Sequence, residues 1–238
     1  MGQTIRTVLL QKVFSCDEPR RQFDAKLARI CVLFEDLRIE IRGISERSLP
    51  GLDVLDTEKD NWLNPGLTGR YRTFYFLRRS LLTLREFAEA LRLIVEDTRK
   101  DPRLKPTFRG LTDEARALWD AGIQFFGSNE KTLNNIRNDI GGHFGQQAAL
   151  NAVSLLLPGA YGSIAVGDDL RLKGSGADYL KLHFALEIAG TALLEHLPNR
   201  DIAQYETLFR DFLMPGYQHA INCVYILVRE YLWDRFES

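Results

Sequence analysis

The sequence predicts an all-α fold: a multi-helix bundle with one short β-hairpin. Three observations carry that prediction. Apolar residues recur at alternating steps of four and three along most of the chain. Capping residues, prolines and glycines fall at the ends of those stretches. Only residues 161–174 change to a period of two.

The first helix is read from Phe23, Leu27, Ile30, Phe34, Leu37, Ile41 and Ile44. Asp17 is placed to cap it, and Pro19 fits a first turn, where no backbone N–H is needed. A second helix starts near Asn64-Pro65. Its stripe of Phe74, Leu77, Leu81, Leu84, Ala88, Leu91 and Val95 spans ~30 Å or more. The two are expected to pair antiparallel across a polar loop from Pro50 to Trp62. Thr112-Asp113-Glu114 opens a third helix, with acids where the dipole favours them. It runs to about Phe126, with Gly127 as its stop and Ser128 as the cap of the next.

That next helix, from Asn129, carries Arg137. Gly141, Gly142 and Gly145 then weaken helix by ~1 kcal/mol each relative to alanine. An apolar segment from Ala148 to Leu157 ends at Pro158-Gly159. Ser163–Val166 and Leu170–Lys173 flank Gly167-Asp168-Asp169 and read as the hairpin. Helices are expected again over 177–197 and 201–213. A last one follows Pro215, with Tyr217, Ile221, Val224, Val228 and Tyr231 on one face. The whole is read as a single helical domain, residues 1–238. Its motif-bearing core covers about 17–197, and the helices of 199–236 form an extra layer. Stripes this regular can close within one chain or face a second copy, so a homodimer is expected.

Composition bounds the function classes. Hydrophobic residues are 45% and charged residues 26%, as in a folded globular chain rather than a disordered one. Cys16, Cys31 and Cys223 stand at no metal-ligand spacing, and the last two lie in apolar helical patterns. A reducing cytoplasmic compartment is expected. The start of the chain lacks the apolar core of a signal peptide. The most apolar run, Ala220–Val228, is far shorter than the ~20 residues of a membrane span. The net charge of −1 conceals a basic stretch, Arg70–Arg109, at +6, balanced by −6 from Gly110 onward. Such a stretch is either a local anion or nucleic-acid surface, or helix faces paired with acidic neighbours.

Familiar catalytic patterns are missing. No GxxxxGK[ST], no GxGxxG after a strand, no GxSxG, no HExxH, no CxxC and no EF-hand loop occurs. No cofactor and no metal is implied. His183 and Glu187 stand one helical turn apart, but a second ligand pair is lacking, and His183 falls on an apolar stripe. His196 stands near a helix end, and His219 has no partner nearby in sequence.

His143 has a different setting. Arg137 precedes it by six residues in Arg137-Asn138-Asp139-Ile140-Gly141-Gly142-His143. On a straight helix six residues turn the chain by ~600°, so the two side chains diverge by ~120° and rise ~9 Å apart. They share a site only if Gly141-Gly142 bends or ends the helix, or if two copies of the motif meet across a dimer axis. Converged, the pair suits phosphodiester chemistry on RNA. Arginine binds phosphate oxygens by its planar fork and stays charged as the transition state gains charge. Histidine titrates near neutrality and can take the proton of a ribose 2′-hydroxyl or give one to the leaving oxygen. Asn138 can orient the phosphate or the imidazole.

At these residues the chain resembles the HEPN superfamily. That signature is an arginine, a polar residue after it, and a histidine four to six residues further on. Here Arg137 is followed by Asn138, and His143 completes the spacing. Leu133 and Ile136 before the arginine and Phe144 after the histidine agree with the pattern. The motif covers residues 133–144; beyond it the likeness rests on helical architecture. The resemblance implies a helical bundle, usually dimeric, with two motifs facing each other. It implies a metal-independent endoribonuclease of toxin or phage-defence type, with His143 as acid/base, Arg137 as phosphate ligand and Asn138 in support. RNA is then the substrate, and an antitoxin or other protein is an expected partner. Other members have no nuclease activity, so a helical binding or assembly module stands beside the enzyme. In a purely structural reading, Arg137 caps carbonyls or pairs with Asp139, and His143 packs at a helix end.

Overall fold

The computed structural model describes residues 14, 20–45, 65–100, 111–137, 153–154, 164–166, 180–182 and 208–232. These residues form an all-α helical bundle with one small β-pair. In chain order the elements are α1 (Arg20–Ser45), α2 (Pro65–Lys100), α3 (Asp113–Ser128), α4 (Glu130–Ile136), β1 (Ile164–Val166), β2 (Leu180–Leu182) and α5 (Met214–Leu227). The contacts divide the chain into two compact units. One holds Met1–Ile39, Thr83–Lys131 and Arg210–Ser238; the other holds Glu40–Leu82 and Thr132–Phe209.

In the first unit, α1 buries Phe23, Leu27, Ile30 and Leu37, as the spacing predicts. Phe34 is half-buried, its ring stacked on Tyr217 of α5 at 6.0 Å. Phe23 meets Tyr231 at 5.0 Å. Lys26 Nζ lies 2.5 Å from Asp97 Oδ2, and Arg29 lies 3.0 Å from Glu86, so ion pairs as well as apolar contact join α1 to α2. Pairs this exposed contribute ~1 kcal/mol or less each; the buried side chains supply the stability.

The C-terminal half of α2 is buried more widely than its predicted stripe. Leu84, Leu91 and Val95 are buried as expected, but Ala88 is half-exposed. Thr83, Phe87, Ala90 and Ile94 are buried as well. At 100° per residue the buried face is about 140° wide. A helix buried that widely packs on more than one neighbour. Phe87, wholly buried, meets Phe126 of α3 at 5.5 Å.

The start of α3 follows its sequence signal. Thr112 is extended and its Oγ1 accepts the Ala115 N–H at 3.2 Å, with Asp113 and Glu114 in the first turn. Its end differs from expectation. Gly127 lies inside the helix, facing open space, and Ser128 is the last helical residue. Asn129 supplies the stop: its backbone N–H and its side-chain Nδ2 both donate to the Phe125 carbonyl, at 3.1 and 2.8 Å. That satisfies an orphan carbonyl of the last turn. α4 begins at the next residue.

α5 also departs from expectation. Pro215 does not separate two helices. A π-type turn, Leu208–Leu213, runs directly into Met214–Leu227, and a second, Val228–Leu232, continues it. Leu213 itself has helical angles, φ −69° and ψ −45°. Proline lacks an N–H and its ring crowds the carbonyl four residues back. The wider turn just before it accommodates both defects without ending the helix. The buried face is rotated too. Gly216, Ala220, Cys223, Val224 and Leu227 face inward, while Tyr217, Ile221 and Val228 are half-buried. Small residues let α5 approach α3 closely. A Cβ on Gly122 of α3 would stand 2.5 Å from Cys223 Sγ, and one on Gly216 would stand 2.7 Å from Leu84.

That seam gives a test. Gly122→Val is expected to cost about 1–3 kcal/mol by overpacking. Added to Cys223→Ala, it should cost less, because the sulfur has vacated the space. Urea denaturation of the four proteins measures the coupling. Additive costs would show that the two positions do not compete.

In the second unit, Gly43 near the end of α1 sits against Phe76: a Cβ there would lie 2.7 Å from the ring. Ser80 Oγ donates to the Phe76 carbonyl at 2.8 Å, which satisfies a buried hydroxyl. Buried Glu40 lies 3.4 Å from Arg79 Nε. β1 and β2 pair antiparallel, with Ile164 opposite Leu182 and Val166 opposite Leu180. The first strand is where the hairpin was expected. Its partner is not: Leu180–Leu182 is strand, where a helix over 177–197 was expected, and residues 170–173 lie outside the described residues. A partner further along the chain leaves no local turn signature to read.

Candidate functional site

Arg137 follows α4 directly. The helix is short, Glu130–Ile136, and two side chains anchor it: Leu133 is 1% exposed and Ile136 is 2% exposed. Spaced by three, they form one apolar edge. On an ideal α-helix Arg137 would lie only 40° from Leu133, on the same buried side. The chain instead widens into a π-type turn at Arg137, and the residue is exposed. A long guanidinium beyond a buried anchor can bind an anion while its helix stays fixed. A cation at a helix C-terminus is also favoured by the dipole, so the position is comfortable without a ligand.

Of the three candidate site residues, the structure describes Arg137. Asn138 and His143 lie outside the described residues, as do Gly141, Gly142 and Phe144. The convergence of Arg137 with His143 therefore rests on sequence. His183, Glu187 and His196 also lie outside. Among the described residues, no group of three or more His, Cys, Asp or Glu side chains could hold a metal ion. No helix among them is long and apolar enough to cross a membrane.

The basic stretch resolves into ion pairs over its described part. Arg79 meets Glu40, Arg85 meets Glu86 and Glu89, and Arg92 and Lys100 both meet Glu96. Glu86, Glu89 and Glu96 are already counted in the +6, so of these partners only Glu40 lowers the net charge; the others place an acid beside each cation. Paired helix faces, rather than an open cationic surface, describe this part of α2.

No family model, curated protein or solved structure matches this chain.

His219 gains a setting that its sequence neighbours do not reveal. Its ring packs on Phe125 of α3 at 4.9 Å, and its Nδ1 is buried without a hydrogen bond. Burial pushes the imidazole below its ordinary pKa of 6.5. The partner lies on another helix, so only the tertiary fold shows it. The neighbouring Cys223 thiol is pushed up to about 12 by burial, which keeps it protonated and inert.

The histidine shift sets a pH dependence. Well above pH 6.5 His219 is neutral whether folded or unfolded, and contributes no slope. As pH falls below 6.5 the unfolded chain takes up the proton first, so stability is lost down through the lower folded pKa. His219→Phe keeps a ring against Phe125 and removes the proton site. Its urea midpoint should fall less than that of the wild type between about pH 7.5 and 5.5. Equal falls would show that His219 does not carry the slope.

Proposed function

We propose that this protein is a metal-independent endoribonuclease of HEPN-like type, in which Arg137 and His143 act on an RNA phosphodiester. The observation that carries the reading is Arg137 itself. It stands exposed at the end of α4, held there by buried Leu133 and Ile136, beside the sequence that supplies Asn138 and His143. In this reading His143 removes the proton of the ribose 2′-hydroxyl. The 2′-oxygen attacks the adjacent phosphorus, the bond to the 5′-oxygen breaks, and the leaving oxygen takes a proton. Arg137 neutralises the added charge on the phosphoryl oxygens, and Asn138 holds the phosphate or the imidazole by hydrogen bonding.

The products test the mechanism. Single-stranded RNA incubated in EDTA should yield 2′,3′-cyclic phosphate and 5′-hydroxyl ends. A 2′-deoxy substitution at the scissile nucleotide should block cleavage. A divalent-ion requirement, or equal cleavage of DNA, would overturn the reading.

A second reading has its own observation. Val32 and Ile39 on α1 are 60% and 51% exposed. Exposed apolar residues on one helix favour an assembly module that binds a protein and turns over no RNA. The cleavage assay separates the two.

A further inference from the structure

We propose that Arg78 of α2 binds a second phosphate of the RNA strand, away from the bond that is cut. The choice of ligand rests on the ribonuclease reading; the unpaired guanidinium does not. Arg78, Arg85 and Arg92 repeat at intervals of seven along α2. Seven residues turn a helix by ~700°, so each lies only ~20° from the one before, and the three form one line. The second and third are built alike. Arg85 meets Glu89 and Arg92 meets Glu96, in each case a carboxylate four residues on. Four residues after Arg78 stands Leu82, so the first of the three has no acid of its own. Arg79 beside it turns to Glu40. Arg78 meets no carboxylate among the described residues, and its Nε is buried with no hydrogen-bond partner.

Arginine cannot shed its proton to relieve that position. A buried charged N–H that donates to nothing is costly, and an oxyanion that accepts from it removes the cost. The residue as a whole is half-buried, so part of it still faces solvent and an oxyanion can reach it from there. The planar fork fits phosphate and carboxylate alike. Two features favour phosphate. Arg78 belongs to the same compact unit as Arg137, whereas Arg85 and Arg92 belong to the other. A single strand also repeats its phosphate along its length, so one ligand serves both cations, as one carboxylate does not. The paired arginines add little, because an acid already stands against each.

Binding of a 2′-O-methylated oligouridine to the full chain, titrated across salt concentration, tests the proposal. The probe lacks the attacking hydroxyl and stays intact. Arg78→Ala should weaken binding about tenfold at low salt. It should also make the slope of log affinity against log salt shallower by about 0.7, the share of one phosphate contact on a single strand. Arg78→Lys keeps the charge and should keep the slope. Leu82→Glu should act like Arg78→Ala with the arginine in place, because it supplies the partner that Arg85 and Arg92 already have. Arg92→Gln should leave the slope unchanged. On cleavable RNA, Arg78→Ala should raise KM and spare kcat, since the contact is the same before and during the reaction. Far-UV circular dichroism checks that each variant folds. A slope unchanged by Arg78→Ala, or lowered as much by Arg92→Gln, would overturn the proposal, and with cleavage intact the ribonuclease reading would stand. The expected change of slope in a protein that cleaves no RNA would instead remove the nuclease and keep Arg78 as a phosphate ligand.

Discussion

Arg137→Ala and His143→Ala are each expected to lower single-turnover cleavage of RNA in EDTA by about a hundredfold or more. General acid–base catalysis supplies roughly 10²–10⁴ in rate, and a charge placed at the developing oxyanion about 10²–10³. Arg137→Lys should recover part of the loss: it keeps the charge but loses the fork that grips two phosphate oxygens. The double variant should be little worse than the poorer single one, because residues that serve one transition state do not act additively. Arg137 is exposed, so its truncation should leave folding intact. Circular dichroism and the urea midpoint check that. Undiminished cleavage in either single variant would end the assignment.

Phe87→Ala is expected to give the largest loss of stability, about 3–5 kcal/mol. Phe87 is wholly buried near the middle of the 140° face of α2, and its ring lies 5.5 Å from Phe126. Alanine would remove the ring and leave a cavity among Leu84, Leu91 and Ile94, which are each 2% exposed or less. Against a typical total of about 5–15 kcal/mol, that is about a fifth or more. The contrast is Ala88, its neighbour on the predicted stripe, which is half-exposed. Ala88→Ser should shift the urea midpoint little. A small effect at Phe87 would show that the first unit does not depend on the α2–α3 contact.

The fold class was legible because helix periodicity needs only local sequence. α1 and α2 emerged from their stripes, and Thr112 capped α3 as its chemistry demands. What escaped was decided by neighbours. Phe87 and Ile94 lie off the predicted stripe, because one stripe presumes one partner, and α2 is buried more widely. Of the face expected for the last helix, Val224 and Tyr231 are buried, but Tyr217, Ile221 and Val228 are half-buried. The real seam is built on Gly216, Ala220 and Cys223, whose value is closeness rather than area. Gly127 resembled a stop, yet the side chain of Asn129 ends the helix. Pro215 resembled a break, yet a wider turn absorbs it. Leu180–Leu182 carried no strand signature because its partner is distant in sequence. At the candidate site the sequence supplied the motif, and the structure adds the anchor beneath Arg137.

Cys223 has one more consequence. Its thiol is wholly buried against Gly122 and held protonated, so no reagent in solution can reach a reactive form of it while α3 and α5 are closed. Modification of that sulfur therefore has to wait for the two helices to part. The chain carries within its seam an internal clock, and its rate of alkylation counts how often the bundle breathes.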